Sequence, residues 1–303
     1  MDKNFFRQVR ILDGGMGQEL LARGLNPQGT LWSAKALLEE KNHSLIEEIY
    51  EDFIKAGAEV IVTNTFTTRK IRLKDNDLEE KFEILNETAC KITNKIKKKY
   101  PNILIAGGLP PQNHTYSEDT RDENEIFNNF KDQAKILNPH IDFFYFDVLS
   151  SIKEISIATK AISEFNKPFL IGAHISEGTK LPSGEKISGI IKKIDHKNLL
   201  GLILACVSPE NFEINISELK KLDVPYGFKM NAFQTTKIDG GYTKSFGGSK
   251  TGNPNEFLGV RKDLTPKKMA EFAKKFKEAG ATILGGCCET RPSHIEMFSK
   301  LKD

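Results

Sequence analysis

The 303-residue sequence lacks the features that several classes of protein require. Its longest unbroken apolar stretch, Leu199–Val207, is less than half of the ~20 residues that a membrane-spanning helix needs. The net charge of +3 is too small to indicate binding to nucleic acid or to a membrane surface. Residues 1–13 contain no apolar core of a secretory signal. These absences predict a soluble, cytoplasmic protein that binds neither nucleic acid nor membranes.

Cysteine is scarce, and its positions are informative. The chain has four cysteines, and none of them lies in a C-x-x-C pair. Such a chain is too long and too poor in cysteine for the disulfide frameworks of small secreted domains. Cys206, Cys287 and Cys288 follow strand-like segments, whereas Cys90 lies in a helical stretch and is expected to fill the core. In a reducing compartment the first three indicate a metal site or catalysis.

No linker rich in Pro, Gly or Ser divides the chain, so residues 1–303 are predicted to form one domain. Short, nearly continuous apolar runs alternate with segments of helical period, which is typical of parallel strands covered on both faces. The predicted strands are residues 9–12, 59–63, 103–106, 142–146, 168–172, 200–205, 225–229 and 281–284. Eight strands, each followed by a helix, predict an α/β fold of the closed (β/α)₈ TIM-barrel type. An open, doubly wound sheet is the alternative, although the turn after the first strand lacks the G-x-G-x-x-G spacing.

Local patterns refine the helices and the longest loop. Ser44 with Glu47 predicts a capping box, Thr265 before Pro266 predicts a helix start, and residues 185–194 predict a weaker helix. The loop between Met230 and Pro266 is far longer than ~15 residues, and it is rich in glycine. Because it lacks the Walker spacing, we expect residues 238–260 to form a mobile lid over the barrel mouth and not a nucleotide site.

The carboxyl ends of the strands of such a barrel converge on one mouth, so Cys206, Cys287 and Cys288 are expected to meet there. Neighbouring residues of a regular strand point to opposite faces. Gly285 and Gly286 before the pair and Arg291 and Pro292 after it permit a turn that would let both cysteines face one ion. Three thiols without a fourth protein ligand predict a zinc ion with an open coordination position. Buried cysteines that only fill the core, or a strained Cys287–Cys288 disulfide, are the alternatives.

A zinc ion with three thiolate ligands favours one kind of chemistry. Coordination to zinc deprotonates a thiol near neutral pH, and the thiolate is the nucleophilic form. A coordinated water would instead give hydrolysis, but three anionic ligands weaken the Lewis acidity of the ion toward water. The pattern therefore favours alkylation of a substrate thiol.

Several segments resemble the homocysteine S-methyltransferase family, in the family's order and over nearly the whole chain. The segments are Leu12-Asp-Gly-Gly-Met-Gly-Gln-Glu-Leu20, Leu31-Trp-Ser-Ala-Lys35, Gly57-Ala-Glu-Val-Ile-Val-Thr-Asn-Thr-Phe66, Cys206-Val-Ser-Pro-Glu-Asn211 and Leu284-Gly-Gly-Cys-Cys-Glu-Thr-Arg-Pro-Ser-His-Ile295. The resemblance implies a zinc-dependent barrel that methylates the thiol of homocysteine to give methionine. It implies a sulfonium or quaternary ammonium donor, or a methylcobalamin-carrying partner.

The resemblance also implies roles for particular residues. Cys206, Cys287 and Cys288 match the zinc ligands. The segment that holds the amino-acid end of homocysteine corresponds to Asp13 and to the amides around Gly14, Gly15 and Met16. Other positions lining the mouth correspond to Asn64, Phe66, Asp147 and Asn231. Independently of the resemblance, the carboxylate of Asp13 at the end of the first strand could bind an ammonium group. The alternative is that Asp13 caps a helix in a tight turn.

The chain departs from the family pattern at several places. Asp147 stands where a glutamate is frequent, and Glu289 follows the cysteine pair where the family has glycine. No departure removes a metal ligand, so the zinc site and the thiol step are expected to remain. The alternatives are a homocysteine-activating component of a corrinoid-dependent system, a methyltransferase for another small thiol, and a redox protein that uses the cysteine pair. The donor and the oligomeric state stay open.

Overall fold

A computed structural model describes residues 4–194, 197–237 and 255–302 of the chain. Its centre is one sheet of eight parallel strands in the order β1-β8-β7-β6-β5-β4-β3-β2. The strands are β1 (Arg10–Ile11), β2 (Val60–Val62), β3 (Leu104–Leu109), β4 (Phe143–Leu149), β5 (Phe169–Ala173), β6 (Leu199–Val207), β7 (Tyr226–Met230) and β8 (Ile283–Gly286). Each lies at the position of a predicted strand, with ends shifted by one to three residues.

The first and last strands of the sheet close it into a barrel. β1 pairs with β8 through Arg10 and Ile283 and through Ile11 and Leu284. On its other side, Leu12 forms a parallel bridge to Val60 at the start of β2. Eight parallel strands closed in this way form a (β/α)₈ barrel. The predicted fold class is therefore confirmed, and the alternative of an open, doubly wound sheet is wrong.

Helices cover the outside of the barrel. They are α1 (Met16–Ala22), α2 (Lys35–Leu38), α3 (His43–Lys55), α4 (Lys70–Lys74), α5 (Phe82–Lys99), α6 (Glu123–Leu137), α7 (Ile152–Ile162), α8 (Pro209–Leu219), α9 (Pro266–Glu278) and α10 (Pro292–Ser299). The start of α9 is as predicted, because the Thr265 side chain accepts a hydrogen bond from the Lys268 amide. The Ser44 capping box is wrong, since a 3₁₀ turn at Glu40–Asn42 leads directly into α3 and places Ser44 inside its first turn.

The connection between β5 and β6 departs from the expected alternation. Where residues 185–194 predicted a helix, the structure has two 3₁₀ turns, Ile187–Gly189 and Ile191–Lys193. Ile187 and Ile190 are both fully buried, and their separation of three residues matches the 3₁₀ period and not an α-helical stripe. The described part of this connection contains no α-helix.

Most of the predicted lid, residues 238–254, lies outside the described residues. The remainder contains the 3₁₀ turn Glu256–Leu258, whose Leu258 is buried in a cluster with Cys206 and Cys288. Among the helices that the structure describes, none combines the length and the apolar character that a bilayer crossing requires.

The inside of the barrel is filled at the end opposite the carboxyl ends of the strands. Phe6, in a 3₁₀ turn before β1, is fully buried in a cluster with Leu12, Val60, Phe143 and other inward-facing residues. Its ring meets that of Phe143 edge to face, with 5.8 Å between centroids. The segment before β1 therefore closes the lower end of the barrel with an aromatic ring, and the upper end is left for the site.

We expect the Phe6→Ala substitution to lower the free energy of unfolding by about 3–5 kcal/mol, because it leaves a cavity that the surrounding strands cannot fill. Phe6→Leu, which keeps most of the volume, should cost less than half of that. Urea unfolding followed by circular dichroism measures both. Equal midpoints for wild type and Phe6→Ala would show that the ring does not fill the barrel.

Candidate metal centre at the mouth of the barrel

Cys206 lies in a bulge near the end of β6. Ala205 pairs with Lys229 and Val207 with Met230, so Cys206 is an extra residue on its strand. Its φ is +53°, an unfavourable angle for a residue with a Cβ atom. Bulges of this kind redirect a side chain, and they are frequent next to active sites. The buried Cys206 side chain lines the barrel mouth.

Cys287 and Cys288 come directly after β8, which ends at Gly286. The expected turn is present, and it lies on the Arg291 side of the cysteines: Glu289 has φ +62°, and the Thr290 amide donates to the Cys287 carbonyl oxygen at 3.2 Å. Gly285 and Gly286 themselves remain in the strand. The turn frees the two cysteines from the alternation of a strand, so both can face the mouth.

The structure brings together the three thiols that the sequence singles out. The Sγ atoms of Cys206 and Cys288 are 3.9 Å apart, those of Cys287 and Cys288 are 4.0 Å apart, and all three lie within 4.8 Å of one another. Sulfur ligands about 2.3 Å from a tetrahedral ion would lie about 3.8 Å apart. The cysteines are free thiols, so the alternative of a Cys287–Cys288 disulfide does not describe this structure. The spacing fits three ligands of one metal ion.

Two polar side chains contact Cys206. The Tyr116 hydroxyl is 3.0 Å from its Sγ atom, and the Asn231 Nδ2 atom donates to its carbonyl oxygen and lies 3.6 Å from the sulfur. Hydrogen bonds from such donors stabilise a thiolate ligand and orient it. Asn231 also accepts a bond from the Phe233 amide, the Asx turn that was the alternative to a substrate role. Asn231 therefore lies beside the sulfur cluster and does not line the barrel mouth itself.

The cysteines lie on the wall of a cavity that opens to solvent. Apolar side chains and a few polar groups line it, as is typical of a site for a small molecule. The wall includes every predicted site residue except Asn231. Those residues are Asp13, Gly14, Gly15, Met16, Asn64, Phe66, Asp147, Cys206, Cys287 and Cys288.

Asp13 forms an ion pair that the sequence did not indicate. Its carboxylate accepts a hydrogen bond from the Lys229 Nζ atom at 2.6 Å and another from the Val62 amide at 2.8 Å. Both partners of the pair are almost fully buried. Burial alone would lower the pKa of Lys229, but attraction to Asp13 and Asp147 outweighs it and raises that pKa. Lys229 therefore carries its charge at the mouth, and Asp13 already has a cationic partner.

Asp147 is the carboxylate with free hydrogen-bonding capacity. It precedes a second irregularity, in β4, where Val148 has φ +67°. Within the described part of the chain its buried Oδ1 atom makes no hydrogen bond of standard geometry. Burial and the nearby Cys287 raise the pKa of Asp147 to about 7, against the opposing effects of Lys229 and of the neighbouring Tyr145 hydroxyl. An unpaired, buried acceptor on a cavity wall is suited to a ligand that donates hydrogen bonds.

The loop between β1 and α1 lies against the cysteine turn. A side chain at Gly15 would come within 2.5 Å of the Cys287 carbonyl oxygen, so only glycine permits this approach. The Gly15 amide donates to the Thr290 carbonyl oxygen at 3.2 Å, and the Asn64 amide group donates to that of Ser33. Gly15 and Asn64 thus hold loops together as well as lining the cavity with Gly14 and Met16.

An aromatic wall stands beside the sulfur atoms. The rings of Trp32 and Phe66 meet edge to face with 6.1 Å between centroids, and both pack on the cluster that contains Cys206, Cys288 and Tyr116. Trp32, Tyr116 and Lys229 were not predicted as site residues. A lysine at the end of an otherwise apolar strand was the one signal in the sequence that could have identified Lys229.

Comparisons with known proteins agree with this geometry. The sequence profile of the homocysteine S-methyltransferase family matches residues 10–301. Homocysteine S-methyltransferase 1 of Saccharomyces cerevisiae is 27% identical, over 98% of this chain and 94% of that protein. Homocysteine S-methyltransferase 1 of Arabidopsis thaliana is 23% identical, over 96% and 92%. The metallated form of the Escherichia coli homocysteine methyltransferase MmuM has the same fold, with a TM-score of 0.78, 20% identity and coverage of 97% and 96%. The profile covers nearly the whole chain, and the chain therefore belongs to the homocysteine S-methyltransferase family.

Proposed function

We propose that this protein is a zinc-dependent enzyme that transfers a methyl group from a sulfonium or quaternary ammonium donor to the thiol of homocysteine, giving methionine. One observation carries the proposal: three thiols from two distant parts of the chain meet on the wall of an open cavity. Three sulfur ligands leave a tetrahedral ion one position for a substrate atom. Family membership adds the reaction class.

Cys206, Cys287 and Cys288 would hold the zinc ion. Bound there, zinc would stabilise the homocysteine sulfur as its thiolate. Tyr116 and Asn231 orient the Cys206 ligand, and the tight contact of Gly15 with Cys287 fixes the second ligand from the other side. These contacts preorganise the sulfur cluster, so little rearrangement is needed when substrate binds.

We assign the amino group of homocysteine to Asp147. An ammonium group donates to a carboxylate in short, charge-assisted hydrogen bonds. Among the described residues, the buried Oδ1 atom of Asp147 accepts no hydrogen bond of standard geometry, and the uncharged Tyr145 hydroxyl is a neighbour that an ammonium group can displace. Asp13 is the weaker candidate because Lys229 and the Val62 amide already occupy its oxygens. Lys229, held in place by Asp13, is a cation suited to a substrate carboxylate.

The aromatic wall supplies the surface for the donor. Trp32 and Phe66 present ring faces and edges beside the sulfur cluster, and a positively charged methyl donor is attracted to aromatic rings. The homocysteine sulfur forms a bond to the donor's methyl carbon as the bond from that carbon to the donor's sulfur or nitrogen breaks. The bonding electrons go to the leaving atom, which departs neutral. No protein acid is needed, and the protein's task is alignment within ~3.5 Å.

The three thiols need a reducing environment to remain available as ligands. The cytoplasm provides one, and it is where we place the enzyme.

A panel of methyl donors tests this function directly. The purified, zinc-loaded chain is incubated with homocysteine and S-methylmethionine, S-adenosylmethionine or betaine, and methionine is measured by mass spectrometry. We expect methionine with at least one of the three. Methionine formed only from methylcobalamin would indicate a corrinoid-dependent system. Faster methylation of another small thiol would contradict homocysteine as the acceptor.

We expect Cys287→Ser to lose the metal and the activity together, because a hydroxyl is a far poorer zinc ligand than a thiolate. Metal content is measured by atomic emission and activity by methionine formation. Cys90→Ala is the matched control: Cys90 is buried in α5, away from the cluster, so this variant should keep one zinc per chain. Full activity in Cys287→Ser without bound metal would refute the zinc requirement.

Asp147→Asn should raise the KM for homocysteine about 10- to 100-fold, since it replaces a charge-assisted hydrogen bond to the ammonium group with a weaker one to a neutral amide oxygen. The KM for the donor should change less than about threefold. Asp142→Asn, a substitution just before the same strand, is the control and should leave both constants close to wild type. Steady-state kinetics with each substrate varied separately make the comparison. An unchanged homocysteine KM in Asp147→Asn would rule out this assignment.

A further inference from the structure

The single tryptophan of the chain lies at the barrel mouth in a strained conformation. Trp32 has φ +47°, an angle that a bulky residue adopts only when its surroundings enforce it. Its indole lies against α1, where a side chain at Gly17 would come within 2.2 Å of the ring. The ring position must therefore be set by specific contacts.

Two hydrogen bonds in series connect the indole to the turn after the cysteines. The Trp32 Nε1 atom donates to the Gln18 Oε1 atom at 3.0 Å. The Gln18 Nε2 atom in turn donates to a carboxylate oxygen of Glu289. Gln18 is buried, so water does not replace these partners. Trp32, Gln18 and Glu289 thus form a chain of hydrogen bonds, called the relay below, from the aromatic wall to the residue that follows Cys288.

The indole and the carboxylate together fix the orientation of the Gln18 amide. A glutamine amide can turn either its oxygen or its NH₂ group toward a neighbour, and an indole nitrogen can only donate. In the structure the Gln18 oxygen accepts from the indole, and the Gln18 NH₂ group donates to a Glu289 oxygen. Both contacts require the same orientation of the amide. Without Glu289 the NH₂ group loses its acceptor, and only the indole itself holds the Gln18 side chain in place.

Glu289 is itself held at an unfavourable backbone angle. Its φ of +62° is one that glycine adopts without strain. Its second carboxylate oxygen lies 3.7 Å from the Arg291 Nη2 atom, and Arg291 also bonds the Glu19 carboxylate at 2.9 Å and the Gln18 carbonyl oxygen at 2.8 Å. A strained residue that is anchored on both sides indicates a role that glycine at this position would not fill.

We propose that Glu289 is a positioning residue that fixes the indole of Trp32 through Gln18, and so couples the cysteine turn to the wall that receives the methyl donor. This inference rests on the proposed function for its link to the donor. The position of the indole, by contrast, can be measured without any reaction.

Because Trp32 is the only tryptophan, its fluorescence reports the relay directly. We expect Glu289→Gly and Gln18→Leu to shift the emission to longer wavelength and to raise the acrylamide quenching constant about twofold. Asn166→Gly is the matched control: Asn166 also has a left-handed backbone, with φ +47°, but lies away from the mouth, so its emission should equal that of wild type. Unchanged emission and quenching in both relay variants would overturn the proposal.

Steady-state kinetics distinguish a role of Glu289 in positioning the Trp32 indole from a general loss of structure. In the zinc-loaded enzyme, Glu289→Gly should raise the KM for the donor about fivefold, the size expected when a cation–π contact is misplaced. The homocysteine KM and the zinc content should not change. In a Trp32→Phe background, which lacks the indole N–H, Glu289→Gly should have no further effect on the donor KM. Loss of zinc, or an equal effect in both backgrounds, would contradict the proposal. If the wild-type enzyme transfers no methyl group, the proposed function is wrong. The fluorescence measurements would still show whether Glu289 and Gln18 fix the position of the Trp32 indole.

Discussion

The metal centre depends on bringing together side chains from two strands, β6 and β8, that are not neighbours in the sheet. β6 and β8 are separated by β7, so their ends lie about 10 Å apart across the sheet. On a regular β8 only one of two neighbouring residues could face the inside of the barrel, so Cys287 and Cys288 could not both meet a side chain from β6. The bulge at Cys206 and the turn after Cys288 remove the regularity at both places, and the sulfur atoms approach to within 4.8 Å. The metal centre depends on these two local departures from strand geometry.

Charge explains why a metal ion suits this cluster. Asp13 and Asp147 line the same cavity as the three thiols, and Lys229 pairs with one of these carboxylates. Three thiolates in such a place would repel one another and the nearby Asp147, and the neutral thiols would lack a function that explains their convergence. A divalent cation neutralises much of this charge, and its attraction to the thiolates offsets the cost of burying them. The surroundings of the thiols and their spacing thus support the same conclusion.

The parts of the structure that follow from sequence are those governed by local pattern. The strands appear where apolar runs predict them, and Thr265 with Pro266 marks the start of α9 because capping needs only neighbouring residues. The convergence of Cys206 with the later cysteines follows from the barrel topology. The Ser44 cap and the helix at residues 185–194 fail because the preceding turn and the spacing of buried isoleucines override the local signal.

Residues that act through long-range contacts could not be found in the same way. Tyr116 reaches Cys206 from a loop 90 residues earlier in the chain, and Lys229 pairs with Asp13 across 216 residues. Nothing in the sequence near either residue indicates its partner. Gln18 and Glu289 are a further case, since each reads as an ordinary polar residue of a turn or a helix until the fold brings them together.

The distribution of backbone strain connects the fold to the site. In the described part of the chain, seven residues other than glycine have positive φ. Four of them line the cavity, Trp32, Tyr116, Val148 and Cys206, and a fifth, Glu289, directly follows the cavity residue Cys288. Tryptophan, tyrosine and valine disfavour this conformation strongly, so neither propensity nor periodicity predicts it. The conformation persists because the regular barrel and its helices supply enough stability to hold it. The strain is concentrated where side chains must leave the directions that a strand or helix would give them, so the least predictable part of the backbone is also the part that forms the site.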